Sequence, residues 1–423
     1  MSTPLRILHV SWEYPPVMYG GLGAHVLAIA TEQARAGHDV TVLTQHGADT
    51  PSDEVVDGVR VVRAREMGEP QERTFANLLS WVASMQRAMN RQGRELIAQW
   101  HPDVVHGHDW VVAAAAMTLS REAHVPLVAT VHATEAGRHD GWIVGLLSQT
   151  VHRRERRLVS AADAIIVCSS AMRDEITAAL GPFAAAVTVV PNGVNLEVWQ
   201  ATETACAAAR ARVGVDPTTP LIIYSGRLAH EKGVGILIDA MPGVLAHVSA
   251  TRLIIAGRGP RDASLRARVS ELKLDAEISF AGFLPEHELR PLVATADCAV
   301  IPSLYEPFGI VALEAGALST PVVASREGGL TEIITDGVTG VLVPPGEATS
   351  LAAAIVRVLS DRDYAQQLGR AARNDVTIRY NWPVLAAHTV DVYRHANASS
   401  QPRHIIERIP DMNVLTGERV TKS

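Results

Sequence analysis

Aromatic side chains are scarce, at 4% of 423 residues, and cysteine occurs three times, at Cys168, Cys206 and Cys298. No cysteine pair has metal-ligand or redox spacing, so a reducing compartment fits the chain best. No stretch approaches the ~20 apolar residues of a membrane span. The opening MSTPLRILHV holds a short apolar run without a cleavage site, so no signal peptide is expected. These absences make the expected location cytoplasmic. Positive charge is not in excess either: 38 Lys and Arg stand against 45 Asp and Glu, a net charge of −7, which argues against nucleic-acid binding by global charge.

What is present is ordinary globular material, 47% hydrophobic and 20% charged, which excludes a disordered or collagen-like chain. The length suggests two domains. With few aromatics and abundant Ala and Val, the core is expected to use small aliphatic side chains, which suit buried parallel strands. Short β-branched runs recur at 7–10, 40–43, 59–62, 104–106, 127–131 and 164–168, with helical patterns between most of them. A second series follows at 221–224, 252–256, 278–282, 298–301, 321–324 and 340–343. This alternation predicts βαβ units and two parallel sheets. The run 187–191 closes the first half at the Asn192-Gly193 turn signal. The halves are expected to join near 195–215, through a helix in the alanine-rich stretch 201–211. Ligands of such sheets sit beyond the carboxyl ends of the strands, so the residues after each strand are the candidates, across a cleft if the two domains face each other.

After the first strand comes Ser11-Trp12-Glu13-Tyr14-Pro15-Pro16, then Gly20-Gly21-Leu22-Gly23. Glycines between strand and helix let backbone amides approach an anion, although a tight turn reads equally well and no GxGxxG is present. His106-Gly107-His108-Asp109-Trp110 ends a later strand, where imidazoles and a carboxylate can bind sugar hydroxyls or shift a neighbour's pKa. No HExxH or cysteine partner supports zinc there. His132 ends the next strand and opens a polar loop. In the second half, Arg227 and Lys232 follow strand 221–224, where two cations could neutralise a diphosphate; the alternative is a solvated pair with Glu231 neutralising Lys232, and the strand-end location favours the diphosphate. After strand 298–301, Pro307 suits the first turn of a helix, with Glu306 at its entrance, Glu314 two turns further along, and amides at Gly309, Ile310 and Val311 able to hold a phosphate. Glu314 follows the apolar run IVAL, and a buried carboxylate needs a partner such as ribose hydroxyls. Asp361-Arg362-Asp363 reads as a solvated turn. The basic run 152–157, HRRERR, reads as a solvated helix face or a contact for anionic lipid.

Together, SGRLAHEKG, YEPFGIVALEAGA, GGL and HDW resemble the GT-B glycosyltransferases of family GT4, and within it the glycogen and starch synthase-like α-glucan synthases. The resemblance covers the chain to about residue 397, and Glu306 and Glu314 meet the family's pattern of two glutamates flanking seven residues. It implies an α/β GT-B fold of two Rossmann-like parallel-sheet domains facing across a cleft. The implied domains are an acceptor-side domain at 1–200, a nucleotide-sugar domain at 201–378 and a helix at 379–397 crossing back onto the first domain; the tail at 398–423, polar and without periodicity, is expected to be disordered. The resemblance also implies that Arg227 and Lys232 bind the donor diphosphate, Glu306 contacts the sugar near its reacting carbon, and Glu314 binds the ribose. The amides of Gly309 to Val311 would cradle the distal phosphate. His132 would touch the sugar's primary hydroxyl, Asp109 would stand at the sugar site, and Gly20 and Gly21 would approach the donor.

The implied activity is retaining transfer of glucose from ADP-glucose or UDP-glucose to an α-1,4-glucan, with no metal or other cofactor. A GT4 enzyme using a lipid-linked or small-molecule acceptor is the alternative, with the basic helix as support for membrane contact. The sequence departs from the family at Met18, where glycogen synthases often carry lysine two residues before the paired glycines, and in a shorter first domain. An NAD-dependent oxidoreductase is disfavoured by the missing GxGxxG. A catalytically silent binding module is disfavoured by the joint presence of Arg227, Lys232, Glu306 and Glu314.

Overall fold

The computed structural model describes residues 3–66 and 77–399. Two compact units emerge: one comprises the described residues up to Pro191 and from Trp382 onward, the other Asn192–Asn381. Of the expected tail at 398–423, everything from residue 400 onward lies outside the described residues.

The first unit is an eight-stranded sheet built from β1 (Arg6–Val10), β2 (Asp39–Gln45), β3 (Asp53–Val56), β4 (Val59–Ala64), β5 (Val104–His108), β6 (Leu127–Val131), β7 (Ala164–Val167) and β8 (Ala186–Val189). Its order is β3-β4-β2-β1-β5-β6-β7-β8. Every pairing is parallel except β3 with β4. The β3–β4 hairpin was not expected from the runs of apolar residues, because β3 carries Asp53 and Glu54 and leaves Val55 exposed. Its signal is the turn: Asp57 and Gly58 both have positive φ, 51° and 81°, the Asp-Gly preference of two-residue hairpin loops. The central strands are buried on both faces, with Ile7, Leu8, Val10, Val104 and Val105 fully inaccessible, as helices covering both sides of a parallel sheet require.

The helix Trp382–Ser399 completes this unit. Trp382, Leu385, Val390 and Tyr393 join a core with Val26 and Ile29 of the helix Gly21–Arg35 and with Ile7, Val40 and Val104 of the sheet.

The second unit is a six-stranded parallel sheet of β9 (Leu221–Ser225), β10 (Arg252–Ala256), β11 (Ile278–Gly282), β12 (Cys298–Ile301), β13 (Val322–Ser325) and β14 (Val341–Val343), in the order β11-β10-β9-β12-β13-β14. The unit begins at Asn192 rather than 201, because the Val194 amide donates to the Tyr380 carbonyl at 3.1 Å. The alanine-rich stretch forms the helix Glu203–Arg212, capped by Thr202. Arg210 of that helix is buried and donates to Thr219 O, Thr295 O and Asp297 Oδ2, which fastens the helix to the sheet. Asp361 of the DxD caps the helix Arg362–Arg379 by accepting from the Tyr364 amide at 3.0 Å.

In both sheets the strand order reverses beside the first strand of the unit. β1 lies between β2 and β5, and β9 between β10 and β12. Connections leave in opposite directions at such a point and open a crevice at the carboxyl ends. The loops there are Ser11–Gly20 and the segment after His108 in the first unit, and 226–233 and 302–309 in the second.

Candidate functional site

The second unit brings its candidate charges together in two separate pairs. Lys232 Nζ lies 2.7 Å from Glu306 Oε2, with the lysine side chain 22% and the glutamate 9% exposed. Glu306 Oε2 also accepts from Ser303 Oγ at 3.0 Å. Arg227 pairs with Glu231 instead. The reading in which Glu231 neutralises Lys232 is thus corrected: Glu231 takes Arg227, earlier in the same loop, and leaves Lys232 to the β12 loop. Main-chain bonds lock the two loops together, since the Glu231 carbonyl accepts from the amides of Leu304 at 2.8 Å and Tyr305 at 3.1 Å. Gly233, at φ 63°, permits this approach; a Cβ there would fall 1.9 Å from the Pro302 carbonyl oxygen.

Pro307 is not in the first turn of a helix. The helix runs Ile310–Ala317 with Gly309 as its N-cap at φ 105°, so Glu306 and Pro307 belong to the preceding loop. A β-branched or bulky cap could not take that φ, and the glycine lets the chain turn sharply from Glu306 into the helix. The first-turn amides at Gly309, Ile310 and Val311 remain where an α-helix leaves its donors without intrahelical acceptors. Glu314, on this helix, lines a narrow cavity with Ser225, Ile301 and Val311. Burial, reinforced by Glu286, pushes its carboxyl up to about 8, so it is protonated near neutrality and can donate to a hydroxyl as well as accept from one.

In the first unit, the Gly20 amide does not face outward as a free donor. Glu13 Oε2 accepts from both Tyr19 N and Gly20 N at 2.9 Å. This carboxylate shapes the glycine loop, which leaves Gly21, the first residue of its helix, as the backbone candidate there. Trp12 stacks on the half-exposed Tyr19, with ring centroids 5.3 Å apart.

Asp109 follows β5 in a left-handed conformation, φ 65°, and its Oδ1 accepts from the His132 amide at 2.8 Å. Burial raises its carboxyl to about 6, against the lowering effect of Arg138 and of the amides of His132 and Ala133. Asp109 therefore holds the chain as it leaves β6 and sets the position of His132. Beneath it, Glu155 is buried, accepts from the Glu135 amide at 2.8 Å, and is pushed by burial to about 8. The helix Gly145–Ala161 is thus not a uniformly basic face: Arg153, Arg156 and Arg157 are exposed while Glu155 points inward.

Sequence reasoning missed a buried imidazole chain. His9 Nε2 lies 2.7 Å from Gln33 Oε1, and His9 Nδ1 lies 3.1 Å from His108 Nε2. His108 Nδ1 lies 3.3 Å from His132 Nε2. His106 joins Tyr393 Oη at 2.7 Å and Thr130 Oγ1 at 2.6 Å. Burial lowers His9 to about 4 and His132 to about 3, and holds His106 and His108 well below the usual imidazole range. The available signal was period two in β5, which puts His106 and His108 on one face, and the parallel register that sets His9 beside His106. Two histidine groups, His9 with His106 and His108, and His25 with His108 and His132, bring ring nitrogens within 4.8 Å of one another, the spacing of a metal site.

Residues 207–375 match the family model described as Glycosyl transferases group 1, and residues 19–198 match Glycosyltransferase Family 4. The chain is 44% identical over 424 residues to the glycogen synthase of Mycobacterium tuberculosis, with 96% of this chain and 100% of that protein covered. It is 32% identical to the alpha-maltose-1-phosphate synthase of Mycolicibacterium smegmatis, over 93% of this chain and 100% of that one. Sucrose-phosphate synthase from Thermosynechococcus elongatus matches in structure with a TM-score of 0.80 at 26% identity, covering 93% of this chain and 99% of that one. Among the described residues no helix is long and apolar enough to cross a membrane.

Proposed function

This chain belongs to glycosyltransferase family 4 and has the two-domain GT-B fold, and on that premise we propose that it moves glucose from ADP-glucose or UDP-glucose to the non-reducing end of an α-1,4-glucan, with retention of configuration and without a metal. The observation that carries this reading is the Lys232–Glu306 pair, held where the β9 and β12 loops meet and next to a helix N-terminus.

The chemistry follows from the leaving group. As the bond from the anomeric carbon to the phosphate oxygen breaks, negative charge grows on a nucleoside diphosphate. The Lys232 ammonium has further N–H donors beyond the one directed at Glu306, and the Arg227 guanidinium is half-exposed on the same loop. Both can meet phosphate oxygens, and the amides of Gly309, Ile310 and Val311 add the positive end of the helix. Fixed charge of this kind, placed before the reaction, lowers the barrier without reorganisation. Glu306 keeps the ammonium in place and presents its second oxygen to the sugar. Glu314, further along the same helix, takes the ribose hydroxyls. In the first unit, His132, positioned by Asp109, binds the primary hydroxyl of the sugar. The acceptor hydroxyl attacks the face from which the diphosphate departs, and its proton goes to the leaving phosphate oxygen, so the reaction balances without an enzyme nucleophile.

A second reading keeps the donor and changes the acceptor. The likeness to alpha-maltose-1-phosphate synthase favours a small phosphorylated sugar. A lipid-linked acceptor draws on Trp142, Val144 and Leu146, which are exposed ahead of Arg153, Arg156 and Arg157.

The test is a panel of ADP-, UDP- and GDP-sugars offered with glycogen, glucose 1-phosphate and a lipid extract, in excess EDTA, followed by linkage analysis. Incorporation of α-1,4-linked glucose into glycogen supports the first reading. Transfer only to glucose 1-phosphate or lipid would replace it, and strict metal dependence would remove the proposed mechanism.

A further inference from the structure

We infer that Gln33, His9 and His108 are positioning residues: through a one-directional chain of imidazole protons they fix the tautomer of His132, so that its Nδ1 offers a lone pair to a substrate hydroxyl. The inference rests on the proposed role of His132 and explains how that role is set.

The argument starts at Gln33, which is fully buried and uses both ends of its amide. Its Nε2 donates to Tyr393 Oη at 3.2 Å, so its Oε1 must accept from His9 Nε2 at 2.7 Å. A neutral imidazole has one N–H and one lone pair. With the proton of His9 on Nε2, its Nδ1 is bare and accepts from His108 Nε2. That leaves His108 Nδ1 bare, to accept from His132 Nε2. The last bare nitrogen is His132 Nδ1. The Tyr393 branch is consistent: Tyr393 accepts from Gln33, directs its own proton to His106 Nδ1, and His106 donates from Nε2 to Thr130. Every ring then carries its proton on Nε2. An imidazolium at His9 or His108 would force every ring beyond it to the opposite tautomer, and one at His132 would put a proton on Nδ1 and remove its lone pair.

The same geometry argues against a metal. In the chain from Gln33 to His132 each inner lone pair already receives a proton, and neither histidine group includes a carboxylate to offset a buried dication. The low pKa values of His9, His106, His108 and His132 agree with neutral rings.

Long-range proton–nitrogen correlation spectra of the full-length protein, labelled with 15N-histidine, read the tautomers directly, with assignments from single His→Gln variants. Nε2–H at His9, His106, His108 and His132 is expected. Nδ1–H or an imidazolium at His132, or zinc at one per chain by elemental analysis, would overturn the inference. The kinetic arm compares Gln33→Met, His132→Ala and the double variant, each checked for folding by circular dichroism. Gln33→Met should cut kcat/KM about tenfold, the scale of one hydrogen bond, and should add nothing in the His132→Ala background. An undiminished loss in that background would show that Gln33 acts through general stability and overturn the chain. A wild-type rate in His132→Ala would instead defeat the donor-contact reading itself, whatever the spectra show.

Discussion

Replacing Lys232 by Met separates catalysis from folding. The substitution keeps most of the aliphatic stem and removes the ammonium 2.7 Å from Glu306. Removing one prearranged charge contact from a developing anion costs roughly 10²–10³ in kcat. Stability should fall as well, because Glu306, 9% exposed, loses its ion-pair partner and retains Ser303 as a hydrogen-bond partner. Breaking a fully buried pair costs about 3–5 kcal/mol; the partial exposure of Lys232 reduces this to roughly 1–3 kcal/mol. In a unit of this size that lowers Tm by roughly 2–4 °C per kcal/mol. The double variant Lys232→Met/Glu306→Gln removes both charges and should recover most of the lost Tm, since a buried pair replaced as a whole is close to neutral. Its activity should stay at or below that of Lys232→Met. Calorimetry and initial rates with a nucleotide-sugar donor, measured well below Tm, read both effects. If turnover returned together with Tm in the double variant, Lys232 would be a structural cation and the diphosphate assignment would be refuted.

Glu314→Gln should remove a pH dependence of stability. A carboxyl raised to about 8 in the fold stabilises fully below its unfolded value, near ~4.5, and that contribution is lost as pH rises through 8; Tm of the variant should therefore gain on wild type across this window, and parallel curves would contradict the burial. Asp109→Asn should fold normally, since Asn tolerates the left-handed backbone and can still accept from the His132 amide, whereas Asp109→Leu should lower both Tm and kcat/KM; equal behaviour of the two in both assays would deny that Asp109 positions His132. Gly233→Ala should fail to accumulate as soluble, cooperatively melting protein, because its Cβ meets the Pro302 carbonyl. Excess EDTA should leave initial rates unchanged, and loss of activity restored by a divalent ion would count against metal-free transfer.

The strands were legible because parallel sheets covered on both faces demand continuous apolar runs, and all but one strand was so marked. β3 escaped because an edge strand can carry Asp53 and Glu54 toward solvent. Lys232 and Glu306 were legible as strand-end residues, but their pairing was not. Which carboxylate meets which cation depends on the crossing of two loops, and on Gly233 being small enough to let them cross. Glu155 was misread with its basic neighbours, because composition over six residues hides which one faces inward. The histidine chain was invisible for a related reason. Its members are far apart in sequence and meet only through sheet register and through helices that supply Gln33 and Tyr393.

The placement of the helix Trp382–Ser399 bears on biosynthesis. The first sheet is translated early, yet Trp382, Leu385 and Tyr393 of its core leave the ribosome only after the whole of Asn192–Asn381. The segment Asn192–Asn381, whose sheet and helices are contiguous in sequence, can mature while the nascent chain is still tethered. The amino-terminal half must wait with an open apolar flank until the helix Trp382–Ser399 has emerged. Stalled or prematurely terminated chains should therefore expose that flank to chaperones and proteases even when the central segment is already native.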